Sequence, residues 1–298
     1  MNKFFDFINV KVFLILVIGF SFVDLIGGYG ILWLFKNSKS GIALKEKVVF
    51  FETNQDVLIF GSSRAAFHYD PSVLENNSNL TFYNAGREGT GVFFHYAALI
   101  ATLERYQPKK IILDVDFRDV YDRGGDFGEN VFGQLKPYYG LVNDEFDDYI
   151  MKDPIDKVLY QSNLLKFNKK FLNIITSNIS SNDKTIKGFK SLNGSWDGKI
   201  QEIDESFNLS QAHIDVLDSF IVKSKQKKIE LILVISPTNK KVPSEFYEII
   251  QKKARYHNIK LIDFHNTKEL MRKEYFHDYE HLNQFGAKAF SSILSKKI

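Results

Sequence analysis

Val57, Leu58, Ile59 and Phe60 form an unbroken apolar run that ends on Gly61-Ser62-Ser63-Arg64. A short run without polar alternation reads as a strand covered on both faces, the habit of a parallel sheet. Gly61 permits a sharp turn there, and a serine hydroxyl is presented at the strand's carboxyl edge, where open α/β sheets keep their sites. The runs LTFYNA (80–85), KIILDV (110–115), ELILVI (230–235) and KLID (260–263) supply four more strands. Helical patterns separate them. Residues 93–107 carry Tyr96, Leu99, Ile100 and Leu103 on one stripe and stop at Pro108. Ser210 is placed to cap a helix with Ile214, Leu217 and Ile221 inward, residues 243–256 follow a proline start, and residues 284–295 close the chain. Strand alternating with helix predicts a three-layer, flavodoxin-like α/β fold with a parallel sheet.

Two segments stand outside that rhythm. Residues 12–35 are apolar and broken by one charge, Asp24. At about 1.5 Å per residue such a stretch can cross a hydrocarbon layer of roughly 30 Å. A cleaved signal peptide is the rival reading; the length, and the lack of a small-x-small cleavage site, favour a single uncleaved anchor in the lipid bilayer. Asp24 is costly against lipid, so it faces protein or lies near an interface and reaches water. Lys3 and Lys11 precede the span while Lys36, Lys39, Lys45 and Lys47 follow it, a count that by itself puts the body in the cytoplasm. Residues 38–52 read as a polar link. The expected organisation is an anchor over 1–37 and an α/β domain over 38–298, with an insertion at about 120–208. That insertion, which holds Gly124-Gly125 and a polar run at 177–184, is either a lid or substrate-facing subdomain or a structural excursion.

With 298 residues the body can bury a core without cross-links, and there is no cysteine to make one. The 39 basic and 36 acidic residues nearly balance, which gives no argument for a nucleic-acid partner. The pattern asks for no metal and no cofactor.

A serine hydroxyl is a weak nucleophile until a base takes its proton, and imidazole does so near neutrality when a carboxylate fixes its orientation. Asp278 and His281, three residues apart before the last helix, can present both groups to one spot. In a three-layer sheet that helix packs beside the first strand, so Ser63 can receive them. Either piece alone is commonplace. Together with Asn84-Ala85-Gly86 and the glycine-rich stretch 86–91, they resemble the SGNH, or GDSL-like, hydrolases. Gly61-Ser62-Ser63 matches that family's first block, Asn84-Ala85-Gly86 its second, and Asp278 with His281 its last, followed by Leu282-Asn283-Gln284-Phe285-Gly286.

The resemblance implies a serine esterase or O-acyltransferase with Ser63 as nucleophile, His281 as base and Asp278 as its orienter. It also implies an oxyanion hole from the N–H groups of Ser63 and Gly86. Ser62 replaces the usual aspartate, which is similar to the membrane-anchored branch that acts in teichoic-acid D-alanyl transfer and exopolysaccharide O-acetylation. That likeness implies an extracytoplasmic body and an acylated cell-surface polysaccharide as substrate. The family's third block normally supplies an asparagine to the oxyanion hole, whereas here the strand ends Asp114-Val115-Asp116-Phe117-Arg118-Asp119. Losing one such donor typically costs about 10²–10³ in rate. Arg118 or a backbone group substitutes, Asp116 points elsewhere, or activity is weak. Arg64 and Arg87 are candidates for an anionic substrate group, or plain surface arginines. A non-catalytic partner of a membrane acyltransferase is the alternative function. A phosphate site at 86–91 is a third, without the lysine of a P-loop.

Overall fold

The computed structural model describes residues 2–122, 132–180, 183, 185–199 and 207–298, with side chains from residue 10 onward. The chain opens with α1 (Asn2–Lys36) and α2 (Gly41–Phe51), then β1 (Val57–Phe60), α3 (Ser63–His68), α4 (Pro71–Glu75), β2 (Phe82–Asn84), α5 (Val92–Arg105) and β3 (Lys110–Asp114). Four short helices follow: α6 (Asp144–Ile150), α7 (Pro154–Leu159), α8 (Asn163–Phe167) and α9 (Phe171–Ile179). The last third holds α10 (Gln211–Gln226), β4 (Glu230–Ile235), α11 (Ser244–His257), β5 (Lys260–Asp263) and α12 (Gln284–Ser295). These pack as two compact units, Met1–Lys47 with Gln134–Asp183, and Val48–Gly133 with Lys184–Ile298.

The larger unit carries a five-stranded sheet in the order β2-β1-β3-β4-β5, every pair parallel. This is the doubly wound order expected from the sequence, with its switch point between β1 and β3. Both faces are covered, so the strands have no polar side. Val57, Ile59, Ile112, Ile232 and Val234 bury against residues of α3, α4 and α12, including Ala65, Leu74 and Phe290. Phe60 points the other way, its ring 5.7 Å from that of Phe220 on α10. Phe290 of α12 meets Tyr69 at 4.9 Å and Phe264 at 5.1 Å, both edge-on. Such pairs add about 0.5–1.5 kcal/mol each beyond area burial, and they seat α12 beside α3.

Residues 38–52 are not a polar link: α2 occupies most of them, with Ala43, in the smaller unit, and Val49 and Phe50, in the larger one, all buried. Arg105 ties down its C-terminal end, donating to Val49 O at 3.1 Å and Thr53 O at 2.7 Å. Residues 134–183 of the insertion pack with α1. Asp24 accepts from Ser162 Oγ at 2.6 Å and from Leu164 N at 3.0 Å. Of the two readings for Asp24, the structure realises the one in which it faces protein. Phe35 packs against Tyr138 and Phe167, and Glu46 accepts from Tyr138 Oη at 2.6 Å and Lys170 Nζ at 2.5 Å. The insertion is therefore not a single lid. Its later part, 185–199, belongs to the larger unit and straps the loop before α12: Trp196 N donates to Phe276 O, and Gln284 N to Leu192 O. Gly124-Gly125 lies outside the described residues.

Candidate active site

The turn after β1 is held by close packing. Gly61 has φ +146°, and a Cβ there would lie 2.7 Å from Ala65 Cβ and 2.9 Å from Asp114 O. Only glycine adopts that backbone without strain. The chain then enters α3 at Ser63, whose N–H, as the first amide of a helix, has no intrahelical acceptor.

Ser63 Oγ lies 2.8 Å from His281 Nε2. On the far side of the ring, Nδ1 is 2.9 Å from Asp278 Oδ2 and 3.1 Å from Oδ1. Asp278 also accepts from the backbone N–H groups of Glu280 and His281, each at 2.8 Å. Burial pushes its carboxyl up, but the bonds from the His281 ring and these amides outweigh that and hold it at about 2. An ionised Asp278 accepts from Nδ1–H, which leaves the Nε2 lone pair facing the serine. The structure thus brings together the serine, histidine and aspartate expected from the sequence.

Two residues absent from that expectation fix the loop. Asn283 caps α12 by accepting from Phe285 N and Gly286 N, while its amide donates to Gly194 O, Glu274 O and Phe276 O. His68, at the other end of the helix that begins with Ser63, accepts at Nε2 from Leu282 N at 3.0 Å. His68 is fully buried, and burial, then its neighbour His281, push its pKa well below the ordinary value, so the ring stays neutral and can accept. Phe67 meets the His281 ring edge-on at 5.2 Å.

Of the two amides expected to form the oxyanion hole, that of Gly86 already has an acceptor. Gly86 is packed on α3, where a Cβ would lie 2.6 Å from both Ala65 Cβ and Ala66 N. Its N–H, however, donates to Asn84 Oδ1 at 3.0 Å. Asn-x-Gly is the spacing of an Asx turn, so the sequence already held the reason. Asn84 Nδ2 donates to Ala65 O and Tyr69 O, which binds the second loop to α3. Arg87 N donates to Gly61 O at 2.9 Å. The Ser63 amide, first in its helix, has no intrahelical acceptor.

Arg64 is neither a surface arginine nor placed for substrate. It is buried, donating to Val115 O at 2.7 Å and Ser236 O at 3.4 Å, with Asp116 at 3.3 Å. Arg118 closes on Asp116 from the other side at 3.0 Å and reaches Glu280 at 2.7 Å. Burial pushes the Asp116 carboxyl up, but Arg118 and Arg64 reverse this and hold it far below the usual range. Asp116 therefore points into a double-arginine clamp, where its charge is neutralised. Lys240 completes the network at 3.4 Å from Glu280, and its ammonium stands 4.4 Å over the Phe117 ring. Asp119 behaves oppositely: burial, then Asp116, push its carboxyl to about 8. With His95 held neutral by burial, at about 3, their 3.9 Å approach is not an ion pair at neutral pH. Arg87 is half-buried and its guanidinium donates to Glu88 O, on the loop after β2.

No family model matches the sequence, and no curated protein matches it. Solved structures similar to the chain include one assigned as a lipolytic protein of the G-D-S-L family from Desulfitobacterium hafniense DCB-2, at 13% identity and TM-score 0.44, covering 82% of this chain and 100% of that one. A lipase/acylhydrolase from Enterococcus faecalis aligns at 12% identity and TM-score 0.43, over 82% of this chain and 95% of that one. A structure assigned as a platelet activating factor from Streptococcus pneumonia aligns at 13% and 0.43, over 85% and 89%. At this distance the chemistry of the site rests on its own geometry: a serine hydroxyl, an imidazole and an ionised carboxylate in one hydrogen-bonded line.

Proposed function

We propose that the protein is a membrane-anchored serine esterase or O-acyltransferase of the SGNH type. The observation that carries this is the continuous line from Ser63 Oγ through His281 to Asp278. His281 takes the hydroxyl proton as Ser63 attacks an ester carbonyl, and the Ser63 amide receives the developing oxyanion. His281 then returns the proton to the leaving alkoxide, giving an acyl-enzyme. Water or a sugar hydroxyl resolves it. Action at a membrane is supported by α1, which is long and apolar enough to span a bilayer; the polysaccharide acceptor and the extracytoplasmic setting rest on the resemblance to the membrane-anchored branch.

The test uses the full chain in detergent with p-nitrophenyl acetate and a serine-directed phosphonate. Turnover and labelling of the wild type, both lost in Ser63→Ala with the fold intact, are expected. No turnover and no labelling of the wild type would overturn the enzymatic reading. Adding oligosaccharide and following ester formation by NMR separates transfer from hydrolysis.

One observation favours a second reading, a non-catalytic partner of a membrane acyltransferase. Asp116 stands where an asparagine donor is expected, and the Gly86 amide is engaged by Asn84. An intact fold without phosphonate labelling is its signature.

A further inference from the structure

The smaller unit buries Phe35, Phe146, Phe167 and Ile174 and yet exposes a second apolar surface. On α7, Ile155, Val158 and Leu159 share one face by their spacing and are all exposed, Val158 by 73%. Of the two polar residues between them, Asp156 turns inward and accepts from the nearly buried Lys136 at 2.6 Å, and Lys157 pairs with Asp148 at 3.3 Å. Leu165 on α8, and Phe171, Leu172 and Ile179 on α9, continue the exposed apolar surface, Leu172 by 74% and Ile179 by 79%. Among the described residues, seven of the thirteen exposed large apolar side chains outside α1 fall between 155 and 179. Soluble surfaces rarely concentrate apolar side chains in this way. Polar groups sit inside the unit and are paired there: Asp24 with Ser162, Glu46 with Lys170 and Tyr138, Ser40 with Ser177.

The position along α1 says what covers this surface. α8 meets α1 at Asp24 and Gly27, and α9 reaches it at Leu34, whose carbonyl accepts from Asn178. The charges at Lys3, Asp6 and Lys11 limit the apolar span on its other side. If α8 and α9 stood in water, only residues 12–23 would remain for the bilayer. At about 1.5 Å per residue they cover about 18 Å, against a hydrocarbon thickness of roughly 30 Å. The missing length lies beside α8.

We propose that residues 154–179 are immersed in the bilayer leaflet that surrounds the second half of α1, with the apolar faces of α7 and α9 against lipid acyl chains. Asp24 is then capped by Ser162 and the Leu164 amide within that leaflet, which satisfies a charge that lipid cannot. The occupant is lipid because the exposed apolar side chains continue the apolar surface of α1; Gln161, Asn168, Lys169, Asn173 and Thr176 are exposed on the same segment. This inference rests on α1 being a membrane span.

Because the chain has no cysteine, single labels are clean. The full chain, in nanodiscs of phosphatidylcholine and phosphatidylglycerol, carries a nitroxide at Leu16→Cys, Val158→Cys, Leu172→Cys or Tyr256→Cys. Circular dichroism checks each fold. Collision with oxygen and with a neutral nickel chelate is then measured by EPR. The expected result is that the labels at 158 and 172 follow the one at 16, with oxygen collisions exceeding nickel collisions severalfold, while the label at 256 shows the reverse. Labels at 158 and 172 that follow 256, with 16 still in lipid, would overturn this inference and leave the anchor standing. Protection from both reagents would mean that protein, not lipid, covers the face. A label at 16 in water would overturn the anchor, and this inference with it.

Discussion

His281 Nε2 lies 2.8 Å from Ser63 Oγ although 218 residues separate them in the chain. The approach is rigid from both sides. Ser63 is the first residue of a helix packed under β1, and His281 sits on a loop held by Asn283 and His68. Groups acting as one unit lose their effect together. Ser63→Ala and His281→Gln should each lower kcat/KM for p-nitrophenyl acetate by about 10³–10⁶-fold, and the double variant should lose little more.

Asp278 stays ionised well below neutral pH, since its pKa is held at about 2. It therefore does not set the acid limb of the pH–rate profile. Asp278→Asn should lower kcat by about 10³–10⁴-fold, because an amide permits the wrong imidazole tautomer. Stopped assays across the pH range check both statements.

Two buried histidines make stability fall in acid. Burial pushes His95 to about 3 and His68 well below its ordinary value. Below about pH 6.5 the unfolded chain binds protons that the native rings refuse, so unfolding free energy drops as pH falls. Each ring contributes up to about 1.4 kcal/mol per pH unit in that window. Urea titrations between pH 7 and 5 should show the decline, and His68→Gln should flatten it. Asp119 works in the other direction. Its carboxyl, raised to about 8, keeps its proton in the fold while the unfolded chain loses it above about pH 4, so stability falls with rising pH until about 8. Asp119→Asn should remove that slope.

Arg64→Ala should destabilise the larger unit by about 3–5 kcal/mol, since it leaves the buried Asp116 with one cationic partner, Arg118, and the Val115 carbonyl without the donor it has now. Arg64→Lys should not restore it, because one ammonium cannot span the carbonyl and carboxylate positions that the guanidinium reaches. Chemical denaturation of both variants is the check.

The larger unit was legible because its signals are local. The bounds of β4, β5 and α12 follow from apolar runs and their neighbours, and the Ser63, Asp278 and His281 placement follows from strand order. What stayed hidden depends on distant partners. Arg64 reads as a surface residue after a turn until Asp114 and Asp116, some fifty residues later, are folded beneath it. The Gly86 amide reads as free until the Asx bond from Asn84 is considered. His68 carries no motif at all; only the loop seated on it shows its use. Residues 154–179 defeat pattern reading for another reason: beside the buried Phe167 and Ile174, seven large apolar side chains face outward, so hydrophobicity does not lead to the core there.

The bond from Asp24 to Ser162 and Leu164 has a practical consequence for anyone handling this protein. Its first helix is not an interchangeable leash. Cutting the chain after residue 37 removes Asp24 and Phe35, and so leaves the Ser162 hydroxyl and the Leu164 amide without their acceptor and strips the Tyr138 and Phe167 rings of a partner. Another apolar helix in its place would not restore those contacts. Asp24→Leu in the full chain should already speed amide exchange at Leu164 and its neighbours. A truncated version should aggregate through the helices of 154–179 even if the serine site folds.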